Sequence, residues 1–349
     1  MQKILQLCEL ARTIGINKLV SINLIHKDML KYARGHMMFY CISVLSNLGF
    51  FDELLKRERI DVALYAKEKG LDDKLLQSVC NYLYLVHIFD KEKERDVYSI
   101  GFKGRGIFRS RGVFDLVCAY DPLFQELEEL LNKKKVYGTD VFRREKFVAK
   151  GTAELGCYVS FPIVKDIIKR YRFKKVLDLG CGSGDFLFSL CDGNNDIVCY
   201  GIDISEEAIR YGRERVGRAG KGYKIELAVY NIFNLDDIMA RWYDIDVLTS
   251  MYVLHEFLSE GKEKVVELLR GIRKNFPGKH IIISEVCRKS IESLRKNPTA
   301  VAEHHLFHAL SNQGIITFEE WEELFKESGY KLIEMKRFDF AEQGYFVLK

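Results

Sequence analysis

The chain has 349 residues, 48% of them hydrophobic and 30% charged, with 54 basic side chains against 50 acidic ones and a formal net charge of +4. That length allows two domains, and the charge balance gives no reason to expect a nucleic acid or an anionic membrane surface as partner. The nine cysteines are scattered with no C-x-x-C, as suits reduced thiols in a cytoplasmic protein, and the charge-broken N-terminal segment reads neither as a signal nor as a membrane span.

Up to about residue 90 apolar residues recur at helical spacing, as in MMFYCISVLSNLGFFDELL (Met37 to Leu55), which Gly49 punctuates. DVALYAKEKG and DDKLLQSVCNYLYLVHIFD predict two further helices, and RDVYSIGFKGRG (Arg95 to Gly106) predicts a small hairpin. Three helices and a hairpin are the order of a winged-helix unit, here over residues 1–112. The helix that would enter a DNA groove, Asp73 to about Tyr84, holds a single Lys and is mostly apolar. Phosphate neutralisation needs more cations than that, so packing or dimerisation is the expected role.

Residues 113–171 read as linking helices. AYDPLFQELEELLNKKK and SFPIVKDIIKRY are helical, the second with Ser160 as N-cap and Pro162 in its first turn. YGTDVFRREKFVAKG offers Arg143, Arg144 and Lys150 to a substrate carboxylate, although a solvated helix end explains such charges more simply.

From 172 to 349 short apolar strands (KKVLDLG, IVCYGID, YKIELAVY, DIDVLTS, KHIIISEV) alternate with amphipathic helices. That alternation predicts an α/β fold with a doubly wound, mostly parallel Rossmann-like sheet, and YKLIEMKRF with GYFVLK adds an antiparallel C-terminal hairpin at its edge.

The glycine turn of VLDLGCGSGDF does not suit a dinucleotide. Asp185 stands where that fingerprint has its third Gly, and Asp178 puts a carboxylate just before the turn. Close backbone approach beside an acid suits a ligand with an ammonium group. Asp203, at the end of the second strand in GIDIS, is placed to bind both ribose hydroxyls of an adenosine. S-adenosylmethionine has these properties. The expected cofactor residues are Asp178, Gly180, Gly182, Gly184, Asp203, Ile204, Asn231 and Ile232, with Ser205 capping the helix that follows.

DLGCGSG and GIDIS at this spacing resemble the first two motifs of the class I S-adenosylmethionine-dependent methyltransferases. The whole chain resembles the plant-type and bacterial small-molecule O-methyltransferases. MYVLHEF (Met251 to Phe257) is similar to their V-L-H-D-W segment with Glu256 for Asp, and FEEWEELFKESGY to their closing helix. The resemblance implies a homodimer formed through the N-terminal domain, a small-molecule acceptor, His255 as the base that deprotonates it, and Glu285 orienting that base. It also implies a second orienting glutamate, but GIITF puts Ile315 and Ile316 at that place.

Five of the eight histidines fall between His255 and His308. AEHHLFHALSNQG carries His304, His305 and His308 on a helix expected to line the acceptor pocket, with Tyr120 and Phe307 among the candidate walls. His255 and Glu256 with one of these would make a two-His, one-carboxylate set suited to iron or zinc. Polar pocket histidines are the simpler alternative. The set resembles that of the metal-dependent 2-oxo acid C-methyltransferases, and by position in the helix the expected third ligand is His305, with His304 in reserve. Two activities therefore stand: metal-assisted C-methylation of a 2-oxo acid through its enolate, and metal-free O-methylation of a hydroxylated aromatic or natural product with His255 as general base.

Overall fold

The computed structural model describes residues 2–194, 196–220, 222–299 and 301–349. The chain divides into two compact units, Met1–Phe114 and Asp115–Lys349.

The first unit holds α1 (Gln2–Ile14), the 32-residue α2 (Ile16–Asn47) and helices Phe50–Arg57, Val62–Lys69 and Asp73–Leu85. Gly49 takes a φ of 71°, which breaks the long apolar run into two helices. Asp61 and Asp72 accept from the backbone N–H groups of Leu64 and Leu75 and cap the next two. Ile42, Leu45, Phe50, Phe89 and Tyr98 are in the core of this unit. The expected hairpin is rearranged. Val97–Ile100 pairs antiparallel with Phe89–Lys91, upstream of it, and residues Phe102–Arg109 form a helix. Gly101 and Gly104 serve close packing instead of a turn: a Cβ on Gly104 would lie 2.3 Å from the carbonyl oxygen of Ile88 and one on Gly101 3.0 Å from it. Among the described residues no single helix is long and apolar enough to cross a membrane; Ile16–Asn47 and Phe50–Arg57 reach that measure only together, across a 71° bend.

The second unit is built on a seven-stranded sheet. Its strands are β1 (Lys175–Leu179), β2 (Val198–Asp203), β3 (Ile225–Val229), β4 (Val247–Met251), β5 (His280–Val286), β6 (Leu332–Phe338) and β7 (Gln343–Leu348). The order is β3-β2-β1-β4-β5-β7-β6, with the first five parallel and β7 antiparallel to both its neighbours. Both faces are covered at the centre of the sheet, so β1, β4, β5 and β7 are buried almost throughout rather than alternating, while the edge strands β3 and β6 are partly exposed. Leu177, Leu179 and Leu248 belong to one core cluster, and Val176, Cys199 and Val247 to another, as the two-residue strand period requires. The helices that matter for the site are α3 (Glu145–Tyr158), α4 (Ser160–Tyr171), α5 (Asp185–Cys191), α6 (Glu206–Ala219), α7 (Lys262–Asn275), α8 (Val301–Leu310) and α9 (Phe318–Glu327). The strand order reverses between β1 and β4, and ligands of such sheets bind beyond the strand C-termini at that point.

Ser160 is not the cap of α4. Val159 takes that place without a side-chain bond, while Ser160 is buried, its hydroxyl paired with Tyr252 Oη at 2.5 Å and accepting from Tyr345 Oη at 3.1 Å.

Candidate active site

The glycine turn runs from the end of β1 to the start of α5. Gly180, Gly182 and Gly184 have φ values of 77°, 55° and 81°, a region that other residues enter at a cost of about 1–2 kcal/mol. The N–H groups of Gly180 and Cys181 donate to the Ile202 carbonyl at 2.9 and 2.8 Å, which ties the turn to β2. Asp203 continues that tie: its carboxylate accepts from Gly182 N at 2.8 Å and from Ser205 N at 2.9 Å. Ser205 in turn accepts from Ala208 N and caps α6. Space beside Gly182 is open, with no atom within 4 Å of where a Cβ would stand.

Asp178 lies buried behind the turn and accepts from Thr249 Oγ1 at 2.6 Å. Burial pushes its carboxyl up to about 7; the Thr249 hydrogen bond opposes this and the Asp203 charge adds to it. A cationic group brought near Asp178 would return it to the carboxylate. Asn231 is exposed, and its Oδ1 accepts from Phe233 N at 3.0 Å, leaving the amide N–H groups for another partner. Ile204 is exposed at the rim, whereas Ile232 belongs to the same core cluster as Leu235 and Ile238, so its side chain packs inward. These residues fit S-adenosylmethionine: an open glycine turn, a carboxylate held at the end of β2 for the ribose, and a buried acid short of a counter-charge.

The next strand over carries the second half of the site. A Cβ on Gly180 would lie 2.5 Å from Val253 Cγ2, so the turn and the segment after β4 are in direct contact. Tyr252 has a φ of 58°, an outlier for a bulky residue, and its N–H donates to the Ser284 carbonyl at 2.8 Å. The chain then enters a 3₁₀ turn, Leu254–Glu260, which carries His255. Glu285, wholly buried on β5, accepts from Leu254 N at 2.8 Å, His255 N at 3.3 Å and His255 Nδ1 at 2.7 Å. That bond fixes the proton on Nδ1 and leaves Nε2 as acceptor. Burial alone would lower the His255 pKa; the Glu285 carboxylate and its hydrogen bond outweigh it, and the net direction is upward.

His255 Nε2 lies 3.6 Å from Glu256 Oε1. Glu256 itself is gripped by Arg143, whose Nη2 donates to its two oxygens at 3.1 and 3.2 Å, and by the Gln313 amide. Arg143 is almost fully buried, also pairs with Glu145 at 2.7 Å, and donates to Tyr120 Oη at 3.4 Å. Tyr120 stacks on Phe307, with centroids 4.5 Å apart and planes 5° apart. Arg143 is thus no solvated helix end. Sequence reasoning missed Gln313, which immediately precedes the GIITF segment where a second orienting glutamate was sought. Ile316 from that segment packs in the core, and the second carboxylate near His255 comes from its own neighbour, Glu256.

On α8 the outcome corrects the expected ligand. His304 and His308 share a face; their rings are 5.7 Å apart, and the His308 ring is 5.0 Å from that of His255. His305 is turned about 100° away along the helix, where Glu342 and Arg288 are its charged neighbours, and its Nε2 is buried without a hydrogen-bond partner among the described residues. Burial and the His255 charge hold His304 down to about 4 and His308 down to about 3, so both stay neutral.

The His255, Glu256 and His305 set does not fit iron or zinc. Among the described residues no three His, Cys, Asp or Glu side chains stand as a metal-binding group. His305 faces elsewhere, and Glu256 is already paired with a guanidinium that would repel a cation.

Residues 172–329 match the family described as "Methyltransferase domain". A 2-ketoarginine methyltransferase from Streptomyces arginensis is 26% identical over 88% of this chain and 89% of its own length. The methyltransferase ungE' of Aspergillus campestris is 22% identical over 82% and 86%. Human N-acetylserotonin methyltransferase, solved with S-adenosylmethionine, superposes with a TM-score of 0.69 at 14% identity, covering 93% of this chain and 97% of that one. That last likeness is one of fold. Residues 172–329 are thus a methyltransferase domain by this match, and the cofactor half-site described above suits S-adenosylmethionine.

Proposed function

We propose that this enzyme methylates a small 2-oxo acid at the carbon beside its carbonyl, with His255 as the base. The observation that carries the reading is the pairing of an oriented imidazole, His255 on Glu285, with the buried cation Arg143 across Glu256. The full-length likeness to a 2-ketoarginine methyltransferase supports the acceptor class. When bound, S-adenosylmethionine supplies an electrophilic methyl group on a sulfonium. His255 Nε2 accepts the proton from the acceptor carbon, and Glu285 offsets the charge that the imidazole gains. To take the acceptor carboxylate, Arg143 would exchange its present contact with Glu256 or Glu145 for it, and would then stabilise the charge spreading onto the enolate oxygen. The carbon–carbon bond forms as the sulfur–carbon bond breaks, and S-adenosylhomocysteine leaves.

A second reading is metal assistance, favoured by one observation. His255 and His308 each place Nδ1 on an acceptor, the Glu285 carboxylate and the His304 carbonyl at 2.7 Å, an arrangement that metal-bound imidazoles use. It requires Glu256 to leave Arg143. O-methylation uses the same His255–Glu285 pair on a more acidic proton.

The deciding assay incubates the untagged protein with methyl-labelled cofactor and separate panels of 2-oxo acids and hydroxylated aromatics, reading products by NMR, alongside elemental analysis. A C-methyl product from a 2-oxo acid supports the proposal; an O-methyl product alone overturns it. Near-stoichiometric iron or zinc would transfer His255 to the second reading.

A homodimer through the first unit is part of the same proposal. Ile16, Val20, Leu24, Ile25, Met29 and Tyr32 on α2 are all exposed, 56% or more in each case, on a helix apolar enough to need a partner surface. Sedimentation of the Val20→Glu/Ile25→Glu variant as a monomer, against a wild-type dimer, is the expected outcome.

A further inference from the structure

Arg215 has no part in the chemistry above, yet it reaches the cofactor turn from α6. Its Nη1 donates to Asp185 Oδ1 at 2.7 Å and approaches Ser183 Oγ at 3.4 Å and the Ser183 carbonyl at 3.5 Å. The Ser183 hydroxyl donates to the other Asp185 oxygen at 2.5 Å. The guanidinium also lies over the Phe188 ring, 4.2 Å from its centroid. Close helix approach makes this reach possible: a Cβ on Gly212 would stand 2.8 Å from the Ser183 carbonyl oxygen.

We infer that Arg215 is a positioning residue for S-adenosylmethionine, holding the glycine turn open and cancelling the charge that Asp185 brings to it. The turn is pinned at two places by one segment. Asp203 at the end of β2 holds Gly182 N–H, and Arg215, on the helix that follows, holds Ser183 and Asp185. The two pins fix Gly182 to Asp185 against the strand end that meets the ribose. Asp185 suits the first turn of α5, where an acid complements the helix dipole. It does not suit a turn that must accept the methionine end of the cofactor, which carries a carboxylate beside its ammonium. Arg215 resolves that conflict by pairing with Asp185. The inference holds for any acceptor.

The test is calorimetric titration of S-adenosylhomocysteine into the full chain, with far-UV circular dichroism and thermal melts for each variant. Arg215→Ala is expected to weaken binding about tenfold through the lost charge-assisted contacts. Adding Asp185→Asn to it is expected to restore most of that loss, which no role in folding alone predicts. Unchanged affinity in Arg215→Ala overturns the inference, and so does a loss that Asp185→Asn does not relieve. Should Arg215→Ala not fold, Arg215→Lys replaces it, since it keeps the charge but loses the fork and the ring contact; a roughly threefold loss is expected there, and wild-type affinity overturns the inference.

Discussion

The two halves of the site meet at Gly180 and Val253, yet they are made differently. The cofactor half is largely backbone: three glycines with positive φ, N–H groups on the Ile202 carbonyl, and one carboxylate that ties Gly182 to Ser205. All of it lies within one strand–turn–helix–strand stretch. The acceptor half is a relay of side chains from distant segments, in which Glu285 holds His255, Arg143 and Gln313 hold Glu256, and His308 closes on His255. A backbone site tolerates little variation in its sequence. A relay can be rewired residue by residue while the cofactor site stays as it is.

The sharpest way to break this division is at its chemical centre. His255→Ala is expected to cut methyl transfer by about 10²–10⁴-fold while leaving S-adenosylhomocysteine affinity unchanged, because His255 belongs to the relay alone. Glu285→Gln keeps the shape but removes the charge that raises the His255 pKa. The rising limb of kcat/KM against pH should therefore move to lower pH, with a lower plateau. A limb that stays in place would mean that another group is the base.

The reverse experiment is Asp203→Ala. It removes the acceptor of two backbone bonds and the ribose partner together, and a loss of about 100-fold in S-adenosylhomocysteine affinity is expected from contacts to a charged group at about 1.5–3 kcal/mol each. Calorimetry reads it directly.

That contrast explains what the sequence disclosed. A glycine turn, its preceding acid and the acid ending the next strand are local and carry their spacing with them, so the α/β fold and the placing of that turn between its two strands were legible. His255 and Glu285 were named through family resemblance, because one lies in the turn after β4 and the other thirty residues on, on β5, and only the sheet register brings them together. Gln313 carried no signal at all. For α8 the helical period already put His304 and His308 on one face, and the choice of His305 went against it. The wing was misread because glycines after a strand signal a turn and a close helix contact equally well.

A smaller effect, about tenfold, follows on α8. His308→Ala should impair methyl transfer, since its ring is 5.0 Å from His255, while His305→Ala should leave turnover within about twofold because it faces Glu342. Equal losses in both would mean that α8 turns when the acceptor binds.

The smallest expected signal tests the cofactor half by its protons. Asp178 titrates near 7 when nothing cationic is close, well above an exposed carboxyl, because burial disfavours its charge. Its raised pKa stabilises the fold fully below the ordinary carboxyl pKa of about 4, and that contribution is lost as pH rises through 7. A ligand ammonium favours the carboxylate, so binding drives the proton off. Calorimetry of S-adenosylhomocysteine at pH 6 in buffers of different ionisation enthalpy should detect release of a sizeable fraction of a proton. The release should shrink toward zero above pH 8, where Asp178 is already ionised, and affinity should rise with pH across the same interval. Asp178→Asn should abolish both dependences. If the wild-type protein binds without proton release at pH 6, Asp178 does not meet the ammonium, and the buried acid serves only to anchor β1 to β4 through Thr249.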